Sequence, residues 1–350
     1  MILQSSLADI PLVPTSALKV FSATTAAEAL VVSIESDSAA SPLYSGTLAA
    51  FGGKVELLDP ASIIEEWMRE KNIVAATLTV TFGNEAIMFD AIYCEYELPD
   101  NFDFSKSFLS LIYAQRTHKG SVITIAAESS AALMATTITA VGLDASGAPV
   151  SPQISFFPSG QIPAVHSNST FVDSLLTRFR SSTQIVDIQY LVFDSGSRQK
   201  VFFIVDDPQF VTIGFRNIFN IVEYIDIPGI VTEKSEISRD SAMVNNSLVQ
   251  YNQQSLHTYE ISTSPLTRDE AEAFAQIVES RETVIRIENV DYPIKITDHT
   301  VESTTDDASL DSMKFTFRFP AARPCLFMPG LSPFRPSHSI FTEQYSKQYQ

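Results

Sequence analysis

Period-two alternation is the feature that most restricts what this sequence can fold into. Met313, Phe315, Phe317 and Phe319 alternate with Lys314, Thr316 and Arg318. Successive side chains of a strand point to opposite faces, so this run sets an apolar row against a polar one. The habit recurs in Thr77-Leu78-Thr79-Val80-Thr81-Phe82, in Val211, Ile213 and Phe215, and in Tyr259-Glu260-Ile261-Ser262. Branched and aromatic side chains fit such pleated, half-buried surfaces. With 45% hydrophobic and only 18% charged residues, disorder is excluded for most of the length. The expected fold is mostly β, a sandwich or barrel, with two short helices adding α+β detail.

Two helices interrupt the strands. Asp59 is placed to cap the first, and Pro60 stands at its first position, where a missing N–H costs nothing. Ile63, Ile64, Trp67 and Met68 follow at helical spacing, opposite Glu65, Glu66 and Arg69. Trp67 is the only tryptophan and reads as a core anchor. The second helix, about 267–280, opens with a capping box of Thr267 and Glu270, and Ala271, Phe274, Ala275 and Val278 mark its expected buried face.

Other strands are expected at Leu30–Ile34, Ala86–Tyr96, Phe108–Tyr113, Ser121–Ala127, Thr136–Val141, Gln184–Phe193, Lys200–Val205, Thr283–Ile287 and Tyr292–Thr297. Gly83-Asn84 and Asp194-Ser195-Gly196-Ser197 read as hairpin turns. Between Ser151 and Thr170 the composition shifts to prolines and serines, which argues against an uninterrupted strand. The expected domains are therefore 1–155, β-rich with a helix at about 60–70, and 170–323, β-rich with the capped helix. Prolines 320, 324, 329, 333 and 336 follow, so 324–350 is expected to be an extended arm. About 20 such residues could reach ~60 Å, far enough to touch a neighbouring subunit. A frayed terminus is the plainer alternative.

The sequence carries no recognisable catalytic, cofactor or metal constellation. There is no G-x-S-x-G elbow, no GxxxxGK[ST] or GxGxxG loop and no HExxH. His118, His166, His257, His299 and His338 lie apart from any nucleophile motif. The nearest approach to a cation site is Asp298 and His299 with Asp306, Asp307 and Asp311, whose spacing matches no EF-hand. The pairs Glu65-Glu66 and Asp206-Asp207 are carboxylates whose separation no sequence can fix. Sequons at Asn168 and Asn245 are read as chance. Cys94 and Cys325 could pair, but nothing requires it. The chain is expected to be no enzyme and to need no cofactor.

A net charge of −18 repels phosphate backbones and argues against a nucleic-acid clamp, while allowing DNA to slide past unbound. No basic, apolar leader opens the sequence and no window approaches the ~20 apolar residues of a membrane span, so synthesis in the cytoplasm without membrane insertion is expected.

One stretch carries a resemblance. Gly214-Phe215-Arg216-Asn217-Ile218-Phe219-Asn220 and Glu223-Tyr224-Ile225 precede a polar run holding Lys234, Arg239 and Tyr251. His257-Thr258-Tyr259-Glu260-Ile261-Ser262-Thr263-Ser264-Pro265-Leu266-Thr267 leads into the capped helix. Ile296-Thr297-Asp298 and Leu310–Phe319 follow. This order, over about Gly214 to Arg323, resembles tail-associated proteins of phages and prophages of Bacteroidetes bacteria. The strands–helix–strands layout resembles the tail-tube fold of phage tube, distal tail and hub proteins.

The resemblance implies a virion protein of the tail or baseplate, a homo-oligomeric ring joining tail tube to the tip or receptor-binding apparatus. Its partners would be other tail proteins, with DNA passing through the lumen without specific binding. It carries over no functional residues. Residues 1–155 have their own strand–helix–strand run, a possible second copy of a similar domain. Two other classes stay open on the residues alone. One is a receptor- or carbohydrate-binding β-sandwich, with Phe156, Phe157, Phe327 and Phe334 facing a ligand. The other is an enzyme assembled from distant positions.

Overall fold

The structure, a computed structural model, describes residues 12–98, 102–128, 136–156, 165–206, 210–244, 247–263, 265–302 and 312–320. Among these the chain is mostly β, with three short helices, several sheets and one closed barrel. It divides into two compact units, Met1–Val205 with Phe215–Tyr224, and Asp206–Gly214 with Ile225–Gln350.

The first unit begins with β1 (Val13–Pro14), β2 (Val20–Thr24), β3 (Ala29–Ser36), β4 (Tyr44–Ala49) and β5 (Lys54–Leu58). Helix α1 (Pro60–Glu70), β6 (Ala75–Phe82) and β7 (Glu85–Ile92) follow. A five-stranded sheet has the order β1-β7-β6-β3-β4, and β2 pairs with β5. The alternation in β6 works as expected: Leu78, Val80 and Phe82 are buried while Thr77, Thr79 and Thr81 face outward, half-buried. Ile64 and Met68, one turn apart on α1, close this core. The Asp59 carboxylate accepts the Ser62 N–H at 3.4 Å, the expected cap.

The rest of the unit comprises β8 (Ala114–Thr117), β9 (Val122–Glu128), β10 (Thr136–Asp144), β11 (Pro149–Val150), β12 (Gln153–Phe156), β13 (Val165–Phe171), α2 (Val172–Ser182), β14 (Ile185–Ser195) and β15 (Arg198–Ile204). β14 pairs with β10, and β13 with β9, across the proline- and serine-rich stretch. The compact units consequently part near Val205, not at that stretch.

Helix α2 is a third helix beyond the two that the sequence signals predict. Its N-cap is Phe171, with no side-chain cap bond, so the usual start signal is missing. Val172, Leu175, Leu176 and Phe179 nonetheless form one buried stripe against Ile138, Ile188, Leu191 and Phe193. The strand expected at Phe108–Tyr113 is absent. Leu109, Leu111 and Tyr113 are bends and the residues between them are irregular, because the Ser110 hydroxyl takes the Ile112 N–H at 3.1 Å and draws the backbone out of a ladder.

The second unit holds most of β16 (Phe210–Arg216) and β17 (Val222–Val244), whose ends within Phe215–Tyr224 belong to the first, with β18 (Ser247–Thr263), α3 (Arg268–Glu279), β19 (Thr283–Ile287), β20 (Val290–Glu302) and β21 (Ser312–Arg318). The six strands close a barrel in the order β16-β17-β18-β21-β20-β19. Met313, Phe315 and Phe317 of β21 point inward, as their alternation requires. The capping box on α3 is complete: Glu270 accepts the Thr267 N–H at 2.9 Å, and Thr267 accepts the Glu270 N–H at 3.3 Å. The buried stripe is Ala273, Phe274 and Ile277 beside Ala271, turned away from the expected Ala275 and Val278. Phe274 meets Phe315 edge to face at 5.2 Å.

Candidate assembly interface

The outstanding feature of the second unit is the hairpin of β17 and β18. Their register runs unbroken from Gly229↔Thr263 to Asp240↔Asn252, shifts once, and resumes to Val244↔Ser247. β21 pairs with β18 only over Tyr259–Ser262, and β16 has seven residues beside the 23 of β17. Roughly a dozen residues of each strand therefore extend past the barrel wall, about 40 Å at the usual rise per residue.

Lys234 and Lys314 clasp the Glu260 carboxylate at the base, at 2.6 and 2.8 Å, and their hydrogen bonds hold its pKa below the ordinary glutamate range. Glu233 meets His257 at 3.2 Å. Beyond this clasp every β17 residue from Lys234 to Met243 is exposed, on both faces of the ribbon. Ile237, Met243 and Leu248 are 53%, 65% and 68% exposed.

A two-stranded ribbon with both faces in water is marginal on its own, because it buries little and leaves two rows of backbone groups for water to satisfy. Its composition is also unlike the rest of the chain. From Lys234 to His257 two cations, Lys234 and Arg239, offset two carboxylates, Glu236 and Asp240, within a chain of net charge −18. Serine, glutamine and asparagine fill most other positions.

The first unit holds a buried polar cluster. Ser110 donates to Glu223 at 2.6 Å, Lys200 donates to Ser110 at 2.9 Å and also pairs with Glu223, and Asn217 donates to the other Glu223 oxygen at 3.1 Å. Lys200 also lies 5.4 Å from the Phe202 ring centre. Arg198 reaches Glu128 at 3.2 Å and the Phe104 carbonyl at 2.8 Å. Ser110 and Lys200 have the separation of a nucleophile and its base. However, Ser110 is only 6% exposed and Lys200 1%, so a substrate would have to open the core to reach them. The cluster acts as a latch on Phe215–Tyr224. Asn217 also donates to the Leu109 carbonyl at 2.9 Å and takes the Phe219 and Ile221 N–H groups. Phe219 is fully buried beside Phe102 and Phe104. Positions 110, 200, 217 and 223 carry no local motif, and only the fold brings them together.

The residues singled out in the sequence mostly stay apart. Asp298 and His299 lie within β20, opposite Thr316 and Phe315, while Asp306, Asp307 and Asp311 fall outside the described residues. No group of three or more His, Cys, Asp or Glu among the described residues could hold a metal ion. Glu65 is half-buried, and burial raises its pKa against the opposing Thr15 hydroxyl bond at 2.8 Å. Asp206 is described and Asp207 is not. Asn168 sits in β13, and Asn245 lies outside the described residues.

Phe156 ends β12, whereas Phe157, Phe327, Phe334 and Cys325 are outside. Cys94 is buried, and burial pushes its thiol up to about 11. Trp67 is half-buried: it packs on the core and also lines an open cleft of about 560 Å³. No helix among the described residues is long and apolar enough to cross a membrane. Compared with known proteins, the chain matches no family model and no curated protein.

Proposed function

We propose that this chain is a structural component of a phage tail that closes into a homo-oligomeric ring around the tail axis, joining the tube to the tip or receptor-binding apparatus. The observation that carries the proposal is the β17–β18 ribbon, exposed on both faces beyond its barrel. Such a ribbon gains most of its missing burial against another subunit. A ribbon of zero net charge can lie on an acidic copy of the same chain without net like-charge repulsion, as the rest of a −18 chain could not. Identical head-to-tail contacts of this kind close into rings when the rotation closes. An acidic lumen would let DNA slide through unbound.

The test is light scattering coupled to size exclusion, with negative-stain microscopy of the peak. The full chain is expected to form closed rings, and a variant with 235–256 replaced by a Gly-Gly turn to stay a folded monomer. Rings that survive the trimming, or a wild type that stays monomeric at every concentration, would overturn the proposal.

A further inference from the structure

We propose that the cleft between α1 and the β3–β4 connection is a docking site for an arginine- or lysine-bearing segment of a partner protein. Three adjacent stripes run along α1. Ile64 and Met68 face the core. Ile63 and Trp67, half-buried, form the cleft wall with Leu43 of the β3–β4 connection opposite. Glu66 and Glu70, both exposed, form the rim.

An apolar floor beside two carboxylates suits a side chain whose hydrocarbon stem ends in a cation. Trp67 lines the cleft, and an indole attracts a guanidinium or ammonium placed over its ring. Glu66 and Glu70 are one turn apart and repel each other, and a bound cation relieves that repulsion. Lys71 marks the helix end of the cleft and keeps a second cation away from it.

The opposite wall is already built. Ala39 N–H donates to the Ser36 carbonyl at 3.0 Å and Leu43 N–H to Ile34 at 2.8 Å, so little ordering remains to be paid on binding. A volume of about 560 Å³ admits more than one side chain, hence a short peptide stretch. The field of a −18 chain draws basic partners. This inference does not depend on ring formation.

Trp67 is the only tryptophan, so its fluorescence reports the cleft directly. The full chain would be titrated with acetyl-Gly-Gly-Arg-Gly-Gly-amide, with the norleucine counterpart of that peptide, and with neutral gluco-oligosaccharides. The arginine peptide is expected to give a saturable change that weakens with added salt, and the norleucine peptide none. The double variant Glu66→Gln/Glu70→Gln should bind about tenfold more weakly, with Glu28→Gln unchanged. Circular dichroism of each variant verifies the fold. Absence of a saturable change, equal response to norleucine, undiminished binding by the double variant, or a response to the oligosaccharides alone would each overturn the inference.

Discussion

Replacing Lys200 with methionine should be the most damaging single change in the first unit. Lys200 is 1% exposed and pairs with Glu223, itself 2% exposed. Methionine keeps most of the stem volume but leaves the carboxylate with only two neutral donors, Ser110 at 2.6 Å and Asn217 at 3.1 Å. Stranding one partner of a buried pair costs about 3–5 kcal/mol. Exchanging both, in Lys200→Met/Glu223→Leu, removes the charge altogether. What then remains is one lost bond each for Ser110 and Asn217, which keep the Ile112 and Leu109 carbonyls as partners, at about 0.5–1.5 kcal/mol per bond. The double variant should therefore be more stable than the single one by about 2 kcal/mol, so the two substitutions are strongly non-additive.

Urea unfolding followed by Trp67 fluorescence reads the first unit specifically, since that unit holds the only tryptophan. A fit to the Trp67 transition alone avoids assuming that a two-unit chain unfolds in one step. If Lys200→Met costs less than about 1 kcal/mol, or if the double variant is the less stable, the buried-latch reasoning fails.

Glu65→Gln should stabilise the chain increasingly as pH rises. Burial raises the Glu65 pKa, so the folded state holds this proton more tightly than the unfolded chain, and stability falls as pH climbs from the ordinary 4.5 through the raised value. A wild-type–variant difference that stays flat in melts across this range would contradict the assignment. In a Cys325→Ser background, Cys94 should react with Ellman's reagent only as fast as the first unit opens, given its burial and a thiol pushed up to about 11. Labelling within the mixing time would rule out that packing. Gly142→Ala should destabilise by about 1–3 kcal/mol or more, because an added Cβ would sit 1.8 Å from the Asp187 carbonyl oxygen. An unchanged melting temperature would mean that β10 and β14 are not as close as described.

What was legible in the sequence was whatever had a period or a punctuation mark. β21 announced itself by four alternating apolar residues, α1 by Asp59-Pro60, and α3 by its capping box. Helix α2 had a periodic stripe but no cap, and its neighbours Thr170 and Phe171 belong to a strand, so no boundary signal separated the two. Most of the long hairpin reads in the sequence only as a polar run. With water on both faces there is no buried side to impose alternation, and pairing alone makes those residues strands. The same loss of pattern that hides the element in the sequence is the exposure on which the proposed assembly rests. The latch was illegible for another reason: Ser110, Lys200, Asn217 and Glu223 are joined only by tertiary folding.

The passage of Phe215–Tyr224 into the first unit bears on the order in which the chain can be made. A polypeptide leaves the ribosome from its N-terminus, and domains usually fold as each is completed. Here the first unit lacks Asn217, Phe219 and Glu223 until residue 224 has emerged, by which point the Asp206–Gly214 segment of the second unit already exists. A nascent chain stopped at Val205 would carry Lys200 without its carboxylate and a cavity where Phe219 belongs. The two units are thus interleaved in synthesis, and neither can be cut free at a single peptide bond and remain whole.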